Sequence, residues 1–173
     1  MDGSTFWRLV TKDETDLLGN LLEFLDNRKV PYCLLGDQAV NAYVEPVVSL
    51  DLDIAVAVEN PHDLVDALRP SFRVTEHPHS INLNQPGSEL RVQIQTDPRY
   101  AAFVQASERR EVLGRPMKVA CLEDVLSGKI WAAMDPERRR SKRQKDLADI
   151  ARILESYPRL RAQIPEEVLR RLV

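Results

Sequence analysis

The stretch from Leu50 to Val58 constrains this chain most, because Leu52, Ile54, Val56 and Val58 alternate there with Asp51, Asp53, Ala55 and Ala57. Successive side chains of a strand point to opposite faces. The pattern therefore predicts a strand with one apolar face and two carboxylates side by side on the other. Upstream, the short apolar run Val30–Leu35 opens at Pro31 and stops at Gly36, as a buried strand ending in a turn would. A short helix through Gln38–Tyr43 is expected between the two strands.

Around this pair the chain alternates helical and extended patterns. Thr11 followed by Glu14 fits a capping box, and Leu17, Leu18, Leu21, Leu22 and Leu25 recur at helical spacing, predicting an amphipathic helix over Lys12–Arg28. Asn60-Pro61 supplies a cap and a first-turn proline for a helix ending near Arg69. Phe72–Thr75, Ile81–Asn84 and Leu90–Thr96 read as successive strands, Arg99–Ala106 as a helix, and a hairpin is expected to turn near Gly114-Arg115. From Leu122 two helical stripes follow: Leu122, Val125, Leu126, Ile130 and Ala133, then Leu147, Ile150, Ala151 and Leu154. A short helix over Pro165–Leu172 closes the order. The expected fold is α+β (α/β-like), a mixed β-sheet core flanked by helices with a C-terminal helical bundle. A single domain over residues 1–173 is expected, with the sheet core to about 120 and the helical part from about 121.

Bulk properties exclude several classes. Of the 173 residues, 43% are hydrophobic and 29% charged, so the chain is neither disordered nor fibrous. The net charge of −3 gives no global field for nucleic acid. No run approaches the ~18 apolar residues of a membrane span, and the first ten residues lack a secretion pattern, so a cytoplasmic location is expected. Cys33 and Cys121 are expected as reduced thiols, and His62, His77 and His79 show no metal-ligand spacing.

Chemistry concentrates at the carboxylate pair. Two like charges on one strand face repel unless a cation neutralises them, and hard oxygen ligands of this kind suit Mg²⁺ held jointly with substrate phosphates. Gly36 allows a backbone to approach a triphosphate closely. The competing account is the wet face of a sheet beside an ordinary turn.

This arrangement resembles the polymerase-β-like nucleotidyltransferase superfamily, in which a Gly-Gly or Gly-Ser turn and a short helix precede Asp-x-Asp or Asp-x-Glu on the next strand. Here Gly36 matches the first glycine and Asp51-Leu52-Asp53 matches the carboxylate pair. Glu123–Ala133 and Lys142–Ile150 are similar to the branch containing the AbiEii-type abortive-infection toxins, and the resemblance runs from about Val30 to Leu154. It implies transfer of a nucleoside monophosphate from an NTP to an acceptor with Mg²⁺ or Mn²⁺. Asp51 and Asp53 would hold the metal, and Gly36, Asp37, Gln38 and Lys129 would face the nucleotide. Lys129 and, on the next helix, Asp146 would complete the catalytic set. If the toxin likeness extends to substrate, the acceptor is an RNA such as tRNA and an antitoxin protein is a partner.

Two departures stand out. The superfamily's third carboxylate is expected on the strand where Gln93 and Gln95 stand, and neither amide can act as a base or an anionic ligand. Asp97 shares their parity and could substitute. Asp37 replaces the second Gly or Ser, and could instead cap the following helix. Other positions keep two readings. Lys129 falls on an apolar stripe and either contacts phosphate or snorkels to the edge. Asp149 pairs with Lys145 at i, i+4 and reads as surface. The basic run Arg138–Lys145 either grips RNA phosphates or is a solvated loop. Trp131 stacks on a base or belongs to the core. The alternatives to an RNA-directed transferase are a catalytically impaired binding module and a small-molecule nucleotidyltransferase.

Overall fold

The computed structural model describes residues 2–172. Two helices open the chain, α1 (Gly3–Thr11) and α2 (Leu17–Asn27), where the sequence predicts one. Thr11 does not start a helix. It ends α1, and its hydroxyl donates to the Trp7 carbonyl at 2.9 Å. The break comes from two non-glycine residues in left-handed conformation, Lys12 (φ 47°) and Asp16 (φ 55°). Asp16 then caps α2 by accepting from the Gly19 amide. The leucine stripe of α2 is buried as expected.

The sheet has seven strands: β1 (Tyr32–Leu35), β2 (Asp51–Val56), β3 (Arg73–His77), β4 (Ser80–Asn84), β5 (Arg91–Gln95), β6 (Glu108–Val112) and β7 (Arg115–Val119). Their order is β3-β4-β5-β2-β1-β7-β6, a mixed sheet. β2 runs antiparallel to β1 and parallel to β5, β1 runs parallel to β7, and the edge pairs are antiparallel. The β6–β7 hairpin turns at Leu113 and Gly114, both with positive φ, as a tight hairpin demands.

Between the strands lie α3 (Gly36–Asn41), α4 (Pro61–Leu68) with its Asn60 cap, and a 3₁₀ turn (Pro98–Tyr100) leading into α5 (Ala101–Gln105). The C-terminal part packs α6 (Leu122–Met134) against α7 (Arg140–Ser156), followed by a 3₁₀ turn and α8 (Glu166–Leu169). The core joins the α2 leucines, the apolar sheet face (Leu52, Ile54, Val92, Ile94, Ile81, Leu83) and the α6/α7 stripes. On α7 that stripe is Leu147, Ile150 and Ile153, with Ala151 and Leu154 at its margin. The fold is thus the mixed-sheet α+β architecture with C-terminal helices. Among the described residues no helix is long and apolar enough to cross a membrane.

Candidate active site

The turn from β1 into α3 sets the floor of the site. Gly36 has φ +64°, and a Cβ there would collide with the Asp53 carboxylate and sit 3.1 Å from Asp53 Cβ. The β1–β2 register causes this crowding, since Leu35 lies opposite Asp53. Glycine is therefore required twice, for conformation and for space. Gly36→Ala is expected to cost about 1–2 kcal/mol from the left-handed backbone alone, with a further loss as Asp53 is displaced. Urea denaturation checks the first effect and nucleotide binding the second.

Asp51 and Asp53 share the cleft face of β2 but differ in partners. Asp51 is held by Arg91 Nε at 2.8 Å and Lys142 Nζ at 3.1 Å. The Asp53 carboxylate has no hydrogen bond or ion pair among the described residues. Its enclosure by protein, reinforced by Asp37 and Asp51 and opposed by Lys129, pushes its pKa up to about 6. Among the described residues no group of three or more His, Cys, Asp or Glu side chains converges as a metal cage. The donor set for a hard cation is this carboxylate pair, with the remaining positions left to substrate oxygens.

Behind the pair lies a buried ionic hub. Lys129, 5% exposed, contacts Asp37 at 2.6 Å, Asp149 at 2.7 Å and Asp146 at 3.2 Å. Asp37 also meets Lys145 and accepts from the Ser49 hydroxyl at 3.0 Å. Asp146 binds Arg138 at 2.6 Å, and Asp149 binds Arg152 at 2.8 Å. Burial alone would raise the Asp37 pKa, but the ammonium groups of Lys129 and Lys145 hold it well below the usual carboxylate range. Burial alone would lower that of Lys129, and its three carboxylates instead hold it above its ordinary value.

Several expectations are corrected here. Asp149 is not a surface residue; it is 3% exposed and belongs to the hub, while Lys145 turns to Asp37. Lys142, Lys145, Asp146 and Asp149 fall at i, i+3, i+4 and i+7, one face of α7; the first three line the cleft and Asp149 lies in the hub behind it. The basic run is mostly helix rather than loop. Arg138, Lys142 and Lys145 turn inward, and Arg139 and Arg140 remain exposed. Asp37 does not cap α3, whose N-cap is Leu35. The Gln38 side chain is not in the cleft lining; it is buried, donating to the Ser49 carbonyl at 3.0 Å and accepting from Asn41 at 3.2 Å. Asp97 is likewise outside the lining, because its carboxylate caps the 3₁₀ turn through the Arg99 amide at 2.9 Å. Trp131 is not core. It is 38% exposed at the cleft, stacked on Phe103 at 5.3 Å, with the Arg99 guanidinium 4.9 Å from its ring.

These groups line one cleft of 620 Å³. Gly36, Asp37, Asp51, Asp53, Lys129 and Asp146 all lie on its wall, together with Arg138, Lys142 and Lys145 of the basic run and with Arg91, which sequence reasoning did not single out.

Solved structures with this architecture are nucleotidyltransferases of the polymerase-β-like superfamily. The antibiotic-resistance factor ANT(2″)-Ia superposes with a TM-score of 0.57 at 17% identity, covering 87% of this chain and 94% of its own. The lincosamide antibiotic adenylyltransferase LnuA gives 0.54 at 14% identity, over 79% and 95%. A nucleotidyltransferase structure from Thermotoga maritima gives 0.50 at 18% identity, over 65% and 80%. At such identities the likeness is one of fold. No curated protein matches in sequence. The family model described as nucleotidyl transferase AbiEii toxin, type IV toxin–antitoxin system, matches residues 52–173, and the chain belongs to that family.

Proposed function

We propose that the protein transfers a nucleoside monophosphate from an NTP to an acceptor hydroxyl, using a divalent cation held by Asp51 and Asp53. The observation that carries this reading is the Asp53 carboxylate: enclosed, unpartnered and next to a second carboxylate, it is what a Mg²⁺ or Mn²⁺ ion would neutralise. Such an ion would stabilise charge on the triphosphate and the leaving pyrophosphate. Lys142, Lys145 and Arg138 face the same space and supply the cations for the phosphates, and the glycine turn admits them close to the backbone. Lys129 and Asp146 act from behind, fixing Asp37 and Arg138. The acceptor oxygen bonds to the α-phosphorus and pyrophosphate departs.

The family's toxin–antitoxin setting supports an RNA acceptor, an antitoxin partner and a cytoplasmic site of action. Arg139 and Arg140, exposed beside the cleft, fit phosphate contacts outside it. Neutralising both is expected to reduce the salt dependence of RNA binding by about 1.5 in log–log slope, since each phosphate contact releases ~0.7–0.9 counterion. Filter binding at stepped salt measures it. A nucleotide-binding module without transfer is a second reading, favoured by Gln93, which stands beside Asp53 where an acid is expected. Incubation with α-³²P-labelled NTPs, Mg²⁺ or Mn²⁺ and unfractionated tRNA decides between them. Label in RNA supports transfer, and nucleotide bound without label moving supports the module.

A further inference from the structure

The cleft has two walls of different character. On one side of the carboxylate pair α6 and α7 bring cations; on the other, β5 and β4 bring uncharged amides. The register fixes that second wall. Gln93 pairs with Asp53 on one flank and with Asn82 on the other, so the three stand in a row on one sheet face. Gln95 and Asn84 lie two residues further along their strands, and all four amides line the cleft. Among the described residues the side chains of Gln93, Gln95 and Asn84 make no hydrogen bond. Asn82 makes one, to His77 at 3.3 Å. Neither strand carries an acidic residue, and the charged groups added to this wall, Arg91 and Arg99, are positive.

We infer that this row is the acceptor subsite and that Gln93 and Asn82 hold the vicinal hydroxyls of a neutral sugar, such as a ribose, over Asp53. The inference rests on the transferase reading above. Each amide offers a carbonyl acceptor and an NH₂ donor, and each hydroxyl of a diol both donates and accepts, so adjacent amides satisfy adjacent hydroxyls. Beyond Asp53 this wall offers a polycationic aminosugar no carboxylate on β4 or β5, and it adds Arg99 and Arg91, the latter paired with Asp51. In the transfer the hydroxyl oxygen forms a bond to the α-phosphorus. The bond from that phosphorus to the bridging oxygen breaks, pyrophosphate takes the electron pair, and the hydroxyl proton passes to solvent. Gln93 accepts the hydrogen bond that orients the hydroxyl; it takes no proton.

Side-chain amide NMR on the protein saturated with Mg²⁺ and a non-hydrolysable NTP analogue tests this, with uridine as probe. Uridine is expected to shift the Gln93 and Asn82 NH₂ resonances saturably, whereas 2′,3′-dideoxyuridine and tobramycin leave them in place. Gln93→Ala and Asn82→Ala should each weaken uridine tenfold or more without changing affinity for the analogue. A mixed-sequence oligoribonucleotide binding over tenfold tighter than uridine assigns the diol to an RNA end, and equal affinity assigns it to a free sugar; either supports the subsite. Resonances unmoved by uridine, or moved equally by the dideoxy compound or tobramycin, overturn it. If the analogue itself fails to bind, the transferase reading falls and the subsite with it; if the analogue binds and uridine does not reach the row, only the subsite falls.

Discussion

Lys129→Met is expected to destabilise the fold by about 3–5 kcal/mol, the cost of breaking a buried ion pair from one side. The ammonium is the shared counter-charge of Asp37, Asp146 and Asp149, all nearly solvent-free. Without it three buried carboxylates face one another, and Arg138, Lys145 and Arg152 compensate only from the periphery. Methionine keeps the volume, so little of the loss is cavity formation. Adding Asp149→Asn to Lys129→Met should recover part of it, because one unpaired charge is removed. Urea denaturation of the three proteins checks this, and a loss below about 1 kcal/mol in the single variant would contradict the hub.

Asp53→Asn is expected to move activity and stability in opposite directions. Transfer should fall by about a thousandfold, roughly 4 kcal/mol of transition-state stabilisation, as a metal ligand is lost. The metal-free protein should become more stable at neutral pH. The pKa of Asp53 rises from an ordinary carboxylate value to about 6 on folding. A raised folded-state pKa favours the fold while the group is protonated, fully below about pH 4, and that advantage is lost as pH rises through 6. Above pH 6 the wild type holds an unfavourable charge that asparagine lacks, worth about 2 kcal/mol. Melting temperatures in EDTA should converge below pH 4 and diverge above pH 6, with the variant higher. A variant less stable at pH 7.5 would assign Asp53 a structural role instead.

The legible parts of this chain were those that a period or a local rule imposes. The alternation of β2 exposes Asp51 and Asp53 together, and the Asn60-Pro61 cap starts α4 where a cap and first-turn proline must. The break between α1 and α2 was hidden because Lys12 and Asp16 adopt left-handed conformations that their residue types do not announce. Asp149 was read as half of a local surface pair, although Lys142, Lys145, Asp146 and Asp149 already formed a polar stripe at helical spacing. Only the tertiary position of α7 shows that this stripe meets the cleft and the Lys129 ammonium behind it rather than water. Residue type left Trp131 between base stacking and core, and only the packing shows that Phe103 covers part of its ring and leaves the rest at the cleft. The amide row needed the sheet register, which sets Gln93 between Asp53, 40 positions earlier, and Asn82, 11 positions earlier.

Calorimetric titration of each NTP with Mg²⁺ into the wild type and Asp51→Ala/Asp53→Ala tests the central claim most directly. The account predicts metal-dependent binding in the wild type that disappears in the double variant while both proteins remain folded by circular dichroism. Binding that survives in the double variant, or no binding in a folded wild type, would contradict a donor site at these carboxylates.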